Sequence, residues 1–229
     1  MYDESLESVA SLISSLRDIP ALSGAQVHVY TKATPANLTA IQYQTSAYRV
    51  VQLPNVGREG ETYLYHILSR WNLLAKHTLF VQAGMHNKEA VLSRIRFYFH
   101  PQRTGMLSLG VVGHSILCNG TDPWGWTDHS GIVPYIYGHV YQRPCKKILL
   151  SYKGQFIVSA ERIRGISQRL YRELHVAIVD EDSWAHKEPY LQGREDSMSA
   201  PVLGWMTVAL LYGIMDPIVS LLKRGLYDR

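Results

Sequence analysis

The feature that most constrains the fold is an alternation of strand-like and helix-like segments between residues 26 and 99. Residues 26–30 and 48–53 carry strand patterns, and residues 77–82 form a third strand that is almost wholly apolar. A strand of that kind is typical of a sheet that is covered on both faces. Because short loops join these strands to helical segments, the pattern predicts an α/β fold with a mostly parallel central sheet.

Three segments place apolar residues on one helical face, and these are residues 5–17, 61–74 and 89–99. A further strand is predicted at residues 155–158, running into a helix that begins near Ser159. The chain has 229 residues, with no internal repeat and no clear linker. We therefore expect a single α/β domain in which helices flank the sheet.

Residues 105–145 differ from the rest, since they are rich in Gly, Pro and aromatic residues. The segment is too long for a plain connector, and long loops are often binding elements or lids. We therefore expect a long aromatic loop that lies over the carboxyl edge of the sheet. An apolar helical segment is expected at residues 200–222.

Charge and cysteine content exclude several classes of protein. Lys and Arg number 23 against 19 Asp and Glu, and the basic residues are scattered, so no nucleic-acid surface is expected. Cys118 and Cys145 lie far apart and outside any Cys-x-x-Cys motif. The sequence therefore predicts neither a disulfide framework nor a zinc site, and a reducing, cytoplasmic location is expected.

No targeting segment is expected, because the first residues include Asp3 and Glu4 instead of a basic region. Two glycosylation sequons begin at Asn37 and Asn119, but without secretion they have no meaning. The longest uncharged stretch, residues 197–215, includes Pro201 and Gly204. Its apolar part is shorter than the ~20 residues of a membrane span, so a buried helix is expected. A membrane-surface or partner-binding helix is the alternative.

Three stretches resemble a fungal family catalogued as a domain of unknown function. They are residues 53–60 (LPNVGREG) with 62–67 (TYLYHI), residues 155–163 (QFIVSAERI) and residues 201–206 (PVLGWM). Members of that family are distantly similar in fold to nucleotide-sugar glycosyltransferases, which implies a Rossmann-like, glycosyltransferase A-like sheet. The chain is also similar to cyclases of fungal terpenoid metabolism that form the norbornene of sordarin-type compounds, although no separate motif carries this second resemblance.

One departure from the glycosyltransferase pattern bears on chemistry. Those enzymes end a central strand in Asp-x-Asp, which holds a metal ion and the diphosphate of the sugar nucleotide. The corresponding residues 80–86 contain no carboxylate, and the family's own histidine-rich run there is reduced to His86. The resemblance therefore supports the fold, while the missing carboxylates argue against a metal-dependent sugar transfer.

Polar side chains follow two of the predicted strands. Arg58 and Glu59 lie in a Gly-flanked turn after the second strand, Gln82 ends the third strand, and His86 follows it. Because parallel strands meet at one carboxyl edge, these residues are candidates for one site. Arg58 can hold a carbonyl or carboxylate, and His86 can donate a hydrogen bond or act as acid or base. The structural alternative is an Arg58–Glu59 or Arg58–Glu61 network that fixes the turn. The predicted catalytic residues are Arg58, His86 and Glu59.

Aromatic and polar residues suited to an apolar ligand form the predicted substrate-binding set. Its members are Gln82, Tyr63, Trp124, Trp126, His129, Tyr135, Tyr137 and Gln155. The alternative is that the rings in the long loop attach it to the core. The histidines are scattered and Gly-rich nucleotide motifs are absent from the sequence, so neither a metal nor another cofactor is expected.

These features, with the resemblance, predict a cofactor-independent enzyme of fungal specialised metabolism. Its expected reaction is cyclisation (pericyclic, of the Diels–Alder type) or isomerisation of a mostly apolar small molecule such as a terpenoid. A glycosyltransferase-like enzyme that uses a sugar nucleotide is the first alternative, and a non-catalytic small-molecule-binding protein is the second. Whether the chain forms a homo-oligomer stays open.

Overall fold

The computed structural model describes residues 1–187 apart from eight positions: Val111, Asp122, Trp124, Trp126, His129, Ser130, Tyr152 and Lys153. The candidate residues Trp124, Trp126 and His129 therefore lie outside the described residues. So do the predicted apolar segment at residues 200–222 and the stretch at 201–206 that contributed to the family resemblance.

The described residues form seven α-helices and seven β-strands. The helices are α1 (Leu6–Arg17), α2 (Leu38–Thr45), α3 (Arg58–Ser69), α4 (Lys88–Tyr98), α5 (Ile132–Tyr141), α6 (Ala160–Arg164) and α7 (Gln168–Val179). The strands are β1 (His28–Thr31), β2 (Arg49–Gln52), β3 (His77–Phe80), β4 (Met106–Ser108), β5 (Val112–Leu117), β6 (Lys147–Ser151) and β7 (Phe156–Ser159). Short 3₁₀ helices span Pro20–Leu22, Trp71–Leu73 and Trp184–His186.

The predicted α/β class is confirmed, but the mostly parallel sheet is wrong. Among the described strands, only β1 and β2 pair in parallel, whereas β7 lies antiparallel between β3 and β4, and β5 pairs antiparallel with β6. The error arose because an apolar run indicates burial on both faces and says nothing about the direction of the neighbouring strand.

Strand β7 shows how an antiparallel strand comes to be apolar throughout. Phe156 and Val158 face a core cluster that includes residues from α3 and α7. Ile157 faces the opposite side and packs in a second cluster with residues of α4. All three side chains are almost fully buried, so each residue of the strand has an apolar environment regardless of the face it points to.

A third apolar cluster lies against the parallel pair. Val9 and Ile13 of α1 pack there with Val29 of β1 and Ile41 of α2. Helix α2 is an element that the sequence reasoning missed, because only two of its residues, Ile41 and Thr45, are buried and its apolar periodicity is weak. Its start is marked by Asn37, whose Oδ1 accepts a hydrogen bond from the Ala40 backbone N–H at 2.9 Å.

Residues 105–145 are not a plain loop. They contain β4, β5 and α5, and β5 pairs with β6 just beyond the segment. This pairing brings Leu117 opposite Lys147, so that Cys118 and Cys145 lie next to each other with their Cα atoms 6.0 Å apart. The two cysteines form a disulfide, which corrects the prediction that they stay unpaired. A separation of 27 residues hides such a contact from sequence, since it depends on how two strands pair.

Within the described part of the chain, we find no helix with both the length and the apolar character that crossing a bilayer requires.

Candidate functional site

Arg58 begins α3, in the turn where the sequence places it. Gly57, immediately before, has φ of 59°, and Arg58 itself has φ of 48°. A Cβ atom on Gly57 would overlap the Ile178 side chain and lie 2.8 Å from Glu61 Cβ, so only glycine fits there. Arg58 is exposed and Glu59 half-buried, and no described contact shows either in an ion pair.

The carboxylate that fixes this turn belongs to Glu61. Its side chain is 3% exposed and accepts hydrogen bonds from Lys32 Nζ at 2.9 Å and His175 Nε2 at 3.1 Å. Lys32 Nζ also donates to the Val56 backbone carbonyl. Burial by itself raises the pKa of Glu61, but the hydrogen bonds from His175 and Lys32 outweigh it and hold the pKa below its usual value. The turn is therefore fixed by Lys32, Glu61 and His175, and the described contacts show neither the Arg58–Glu59 nor the Arg58–Glu61 pair of the structural alternative.

Gln82 and His86 lie in the loop after β3, where Gln82 is half-buried and His86 is exposed. The backbone N–H of Gly84, between them, donates to Glu4 Oε1 at 3.1 Å. Strand β3 belongs to the antiparallel sheet and β2 to the parallel pair. The single parallel edge that was expected to join Arg58 and Glu59 to these two residues is therefore absent from the described structure.

Two predicted substrate-binding residues are part of the core. Tyr63 is 4% exposed, its ring packs on Phe80 with centroids 4.8 Å apart, and its hydroxyl donates to the Gly154 carbonyl at 3.1 Å. Gln155 is 1% exposed and directly precedes β7. A ligand would have to displace core side chains to reach either residue.

The two described tyrosines of the predicted aromatic set lie on α5 and differ in exposure. Tyr135 is 43% exposed and its ring lies 4.3 Å from that of His139. Tyr137 is buried and accepts a hydrogen bond from Arg143 Nη2 at 3.0 Å. The Arg143 guanidinium also lies over the rings of Tyr137 and Tyr141, at 5.7 and 5.5 Å from their centroids. Arg143 thereby fixes the C-terminal end of α5.

An open cleft of about 430 Å³ lies between that end of α5 and the helix α6. This volume falls in the range of sites that hold small molecules. We call this cleft the Arg162 cleft. It is lined by Gly105, Val140, Tyr141, Ser159, Glu161, Arg162, Gly165 and Ile166. Val140, Tyr141 and Ile166 supply apolar surface, Arg162 supplies a guanidinium, and the exposed Glu161 supplies a carboxylate.

Local structure positions Arg162 at the start of α6. Ser159 ends β7 and caps the helix, with its Oγ accepting from the Arg162 backbone N–H at 3.2 Å. Gly105 lies beside the guanidinium, since a Cβ atom on it would lie 3.6 Å from Arg162 Nη1. Burial lowers the pKa of Arg162, an effect that Tyr141 partly opposes, but an arginine remains charged at neutral pH.

No role was assigned to Arg162 or Tyr141 from the sequence. Arg162 does lie in the stretch of residues 155–163 that contributed to the family resemblance. Tyr141 lies in the aromatic segment but outside the residues chosen from it. Each residue therefore lay in a segment that the sequence had singled out. Nothing in the sequence indicated that the two segments would meet.

A second group of titratable residues lies between β1 and α3, and sequence reasoning also missed it. The Tyr30 hydroxyl lies 2.8 Å from His66 Nδ1, and the His28 ring lies 5.5 Å from the His66 ring. Burial, together with positive charge at His28 and Arg70, lowers the pKa of His66 to about 4. His66 is therefore neutral at pH 7, and its tautomer decides whether its Nδ1 or the Tyr30 hydroxyl donates the hydrogen bond between them. Burial raises the pKa of Tyr30 to about 12, which leaves the pair unsuited to proton transfer near neutral pH.

The described residues contain no group of three or more His, Cys, Asp or Glu side chains placed to hold a metal ion. Comparisons with protein-family models, curated proteins and solved structures found no match to this chain. The resemblance to the fungal family therefore stays a prediction.

Proposed function

We propose that the protein binds a mostly apolar small molecule bearing a carbonyl or carboxylate group in the Arg162 cleft and promotes its cyclisation or isomerisation without a cofactor. The observation that supports the proposal is the pairing of apolar lining with one half-buried guanidinium in a cleft of about 430 Å³. Such a cleft can take the apolar part of a ligand on one side and orient its polar group on the other.

The polar group would be held by Arg162. A guanidinium presents several N–H donors in a fixed plane and matches the two oxygens of a carboxylate or the lone pairs of a carbonyl. Because Arg162 is half-buried, its charge is less screened by water than that of an exposed arginine. This favours a ligand with an oxygen acceptor over one that is purely apolar.

To promote an intramolecular rearrangement, such a site has to hold the substrate in a reactive conformation and polarise its carbonyl group. Holding a flexible substrate in a reactive conformation lowers the entropic part of the barrier, by less than the ~7–11 kcal/mol that applies when two molecules are joined. A hydrogen bond from Arg162 to a substrate carbonyl would draw electron density from a conjugated alkene and assist a cycloaddition. In that step the proton stays on the guanidinium.

Binding can be tested with farnesoic acid, an apolar polyene carboxylate, and with farnesol, which has the same chain and no carboxylate. Hydrogen bonds to charged groups contribute about 1.5–3 kcal/mol, so Arg162→Gln should weaken farnesoic acid binding roughly tenfold or more and leave farnesol binding unchanged. Arg172→Gln is the matched control, since Arg172 is exposed on α7. Equal effects of the two variants would overturn the assignment of the cleft.

Turnover requires a separate readout. Cyclisation and isomerisation keep the mass of the substrate, so polyene acids and aldehydes incubated with the protein should yield products of unchanged mass and altered chromatographic retention. Binding without such products would favour the non-catalytic alternative. Stabilisation by UDP-glucose with Mn²⁺, but not by farnesoic acid, would favour the glycosyltransferase-like alternative.

The same assays test the catalytic roles predicted for Arg58 and His86. If the reaction takes place in the Arg162 cleft, Arg58→Ala and His86→Ala leave it unchanged. Loss of activity in either variant would instead support the active site predicted from the sequence, after β2 and β3. The cytoplasmic location was predicted from unpaired cysteines, and the Cys118–Cys145 disulfide removes that basis.

A further inference from the structure

The sequon Asn119-Gly120-Thr121 directly follows Cys118 at the end of β5. Asn119 and Thr121 are both exposed, and the turn is closed by a hydrogen bond from the Gly120 N–H to the Leu117 carbonyl at 2.9 Å. In the described part of the chain the Asn119 side chain makes no hydrogen bond. Modification of the side-chain amide would therefore break no hydrogen bond within the described residues.

A sequon is used only in a protein that enters the secretory pathway, and the sequence by itself gave no sign of secretion. The disulfide next to this sequon provides such a sign. Disulfides persist in the secretory pathway and outside the cell, and they are rare in the reducing cytoplasm. N-linked glycosylation occurs in the same oxidising compartment and needs an accessible Asn-x-Ser/Thr. Cys118 and Asn119 are consecutive residues, so one surface turn carries both features.

We propose that Asn119 carries an N-linked glycan and that the chain acquires it in the compartment where the Cys118–Cys145 disulfide forms. The donor would be a lipid-linked oligosaccharide diphosphate. The Asn119 amide nitrogen forms a bond to the sugar C1 as the bond from C1 to the phosphate oxygen breaks, the lipid diphosphate leaves, and the amide loses one proton to solvent.

Asn37 provides the internal comparison, because it begins the other sequon and is also exposed. Its Oδ1 caps α2 by accepting from the Ala40 N–H at 2.9 Å, so its side chain already has a structural role. Asn119 has no corresponding role in the described contacts. We therefore assign the modification to Asn119 and use Asn37 as the control position.

The test uses the full chain, purified from the cells that naturally encode it. Treatment with peptide-N-glycosidase F should increase gel mobility by one glycan and convert Asn119 to Asp in the peptide mass spectrum. Asn119→Gln and Thr121→Ala should each abolish this shift, whereas Thr121→Ser keeps the sequon and retains it. Asn37→Gln should leave the Asn119 glycan in place.

Two results would overturn the proposal. One is an Asn119 peptide that is unmodified before enzyme treatment, and the other is recovery of Cys118 and Cys145 as alkylated free thiols. Neither result bears on ligand binding in the Arg162 cleft, which the farnesoic acid assay measures separately.

Discussion

Replacing Glu61 by Gln should destabilise the protein by about 3 kcal/mol at pH 7. The change removes the negative charge opposite Lys32, whose side chain is 9% exposed, while Glu61 itself is 3% exposed. Breaking a buried ion pair by removing one partner costs about 3–5 kcal/mol. The lower end applies because Lys32 keeps the Val56 carbonyl and the glutamine oxygen can still accept a hydrogen bond.

The measurement is urea unfolding followed by circular dichroism. With an m value of about 3 kcal/mol per molar, the midpoint of Glu61→Gln should fall by about 1 M. Glu59→Gln is the matched control, since Glu59 lies two residues earlier, carries the same charge and shows no ion pair in the described contacts. Its loss should stay below about 1 kcal/mol, which is the scale of a helix-dipole effect.

The pH dependence provides an independent test. The pKa of Glu61 is lowered by folding, so its contribution is complete above its ordinary value of 4.5 and is lost as the pH falls through the folded value. The gap in unfolding free energy between the wild type and Glu61→Gln should therefore narrow as the pH falls below 4.5. His66 titrates in both proteins and cancels from the difference. A constant gap, or equal losses in Glu59→Gln and Glu61→Gln, would refute the reasoning.

Three further changes test other parts of the fold. Gly57→Ala should cost at least about 2 kcal/mol in thermal unfolding, because φ of 59° and the lack of space both exclude a side chain. Tyr30→Phe should cost about 1–3 kcal/mol by urea unfolding, since it leaves the buried His66 Nδ1 without its hydrogen-bond partner, and a neutral result would contradict that bond. Reducing the Cys118–Cys145 disulfide should cost roughly 3.5 kcal/mol from loop entropy alone, judged by paired unfolding curves with and without reductant, and a Cys118→Ala variant should be insensitive to the reductant.

Several elements could be predicted because their signals are local. The apolar periodicity of α3 and the apolar run of β7 depend on nearby residues, and both elements formed close to the expected positions. Helix α2 was missed because two buried residues, Ile41 and Thr45, produce too weak a pattern. The aromatic segment was taken for a loop, although it contains β5 and α5.

The candidate site was harder to predict than the fold. Arg58 and His86 were grouped on the assumption that their strands share one parallel edge, and the pairing of β7 with β3 removes that assumption. Arg162 and Tyr141 instead line one cleft, because α6 directly follows β7 and lies beside the end of α5. Nothing in the spacing of these two residues along the chain indicates that they meet.

The sequence by itself determined that the chain forms an α/β protein, where most of its helices and strands lie, and that Gly57 precedes a helix. These properties follow from burial patterns and backbone preferences within short segments. Only the tertiary structure decided the direction of the strands, the Cys118–Cys145 bond, the Lys32–Glu61 pair and the Arg162 cleft. Each of these depends on residues that are distant in the chain, and an apolar or charged residue shows only that it needs a partner, not which one it finds.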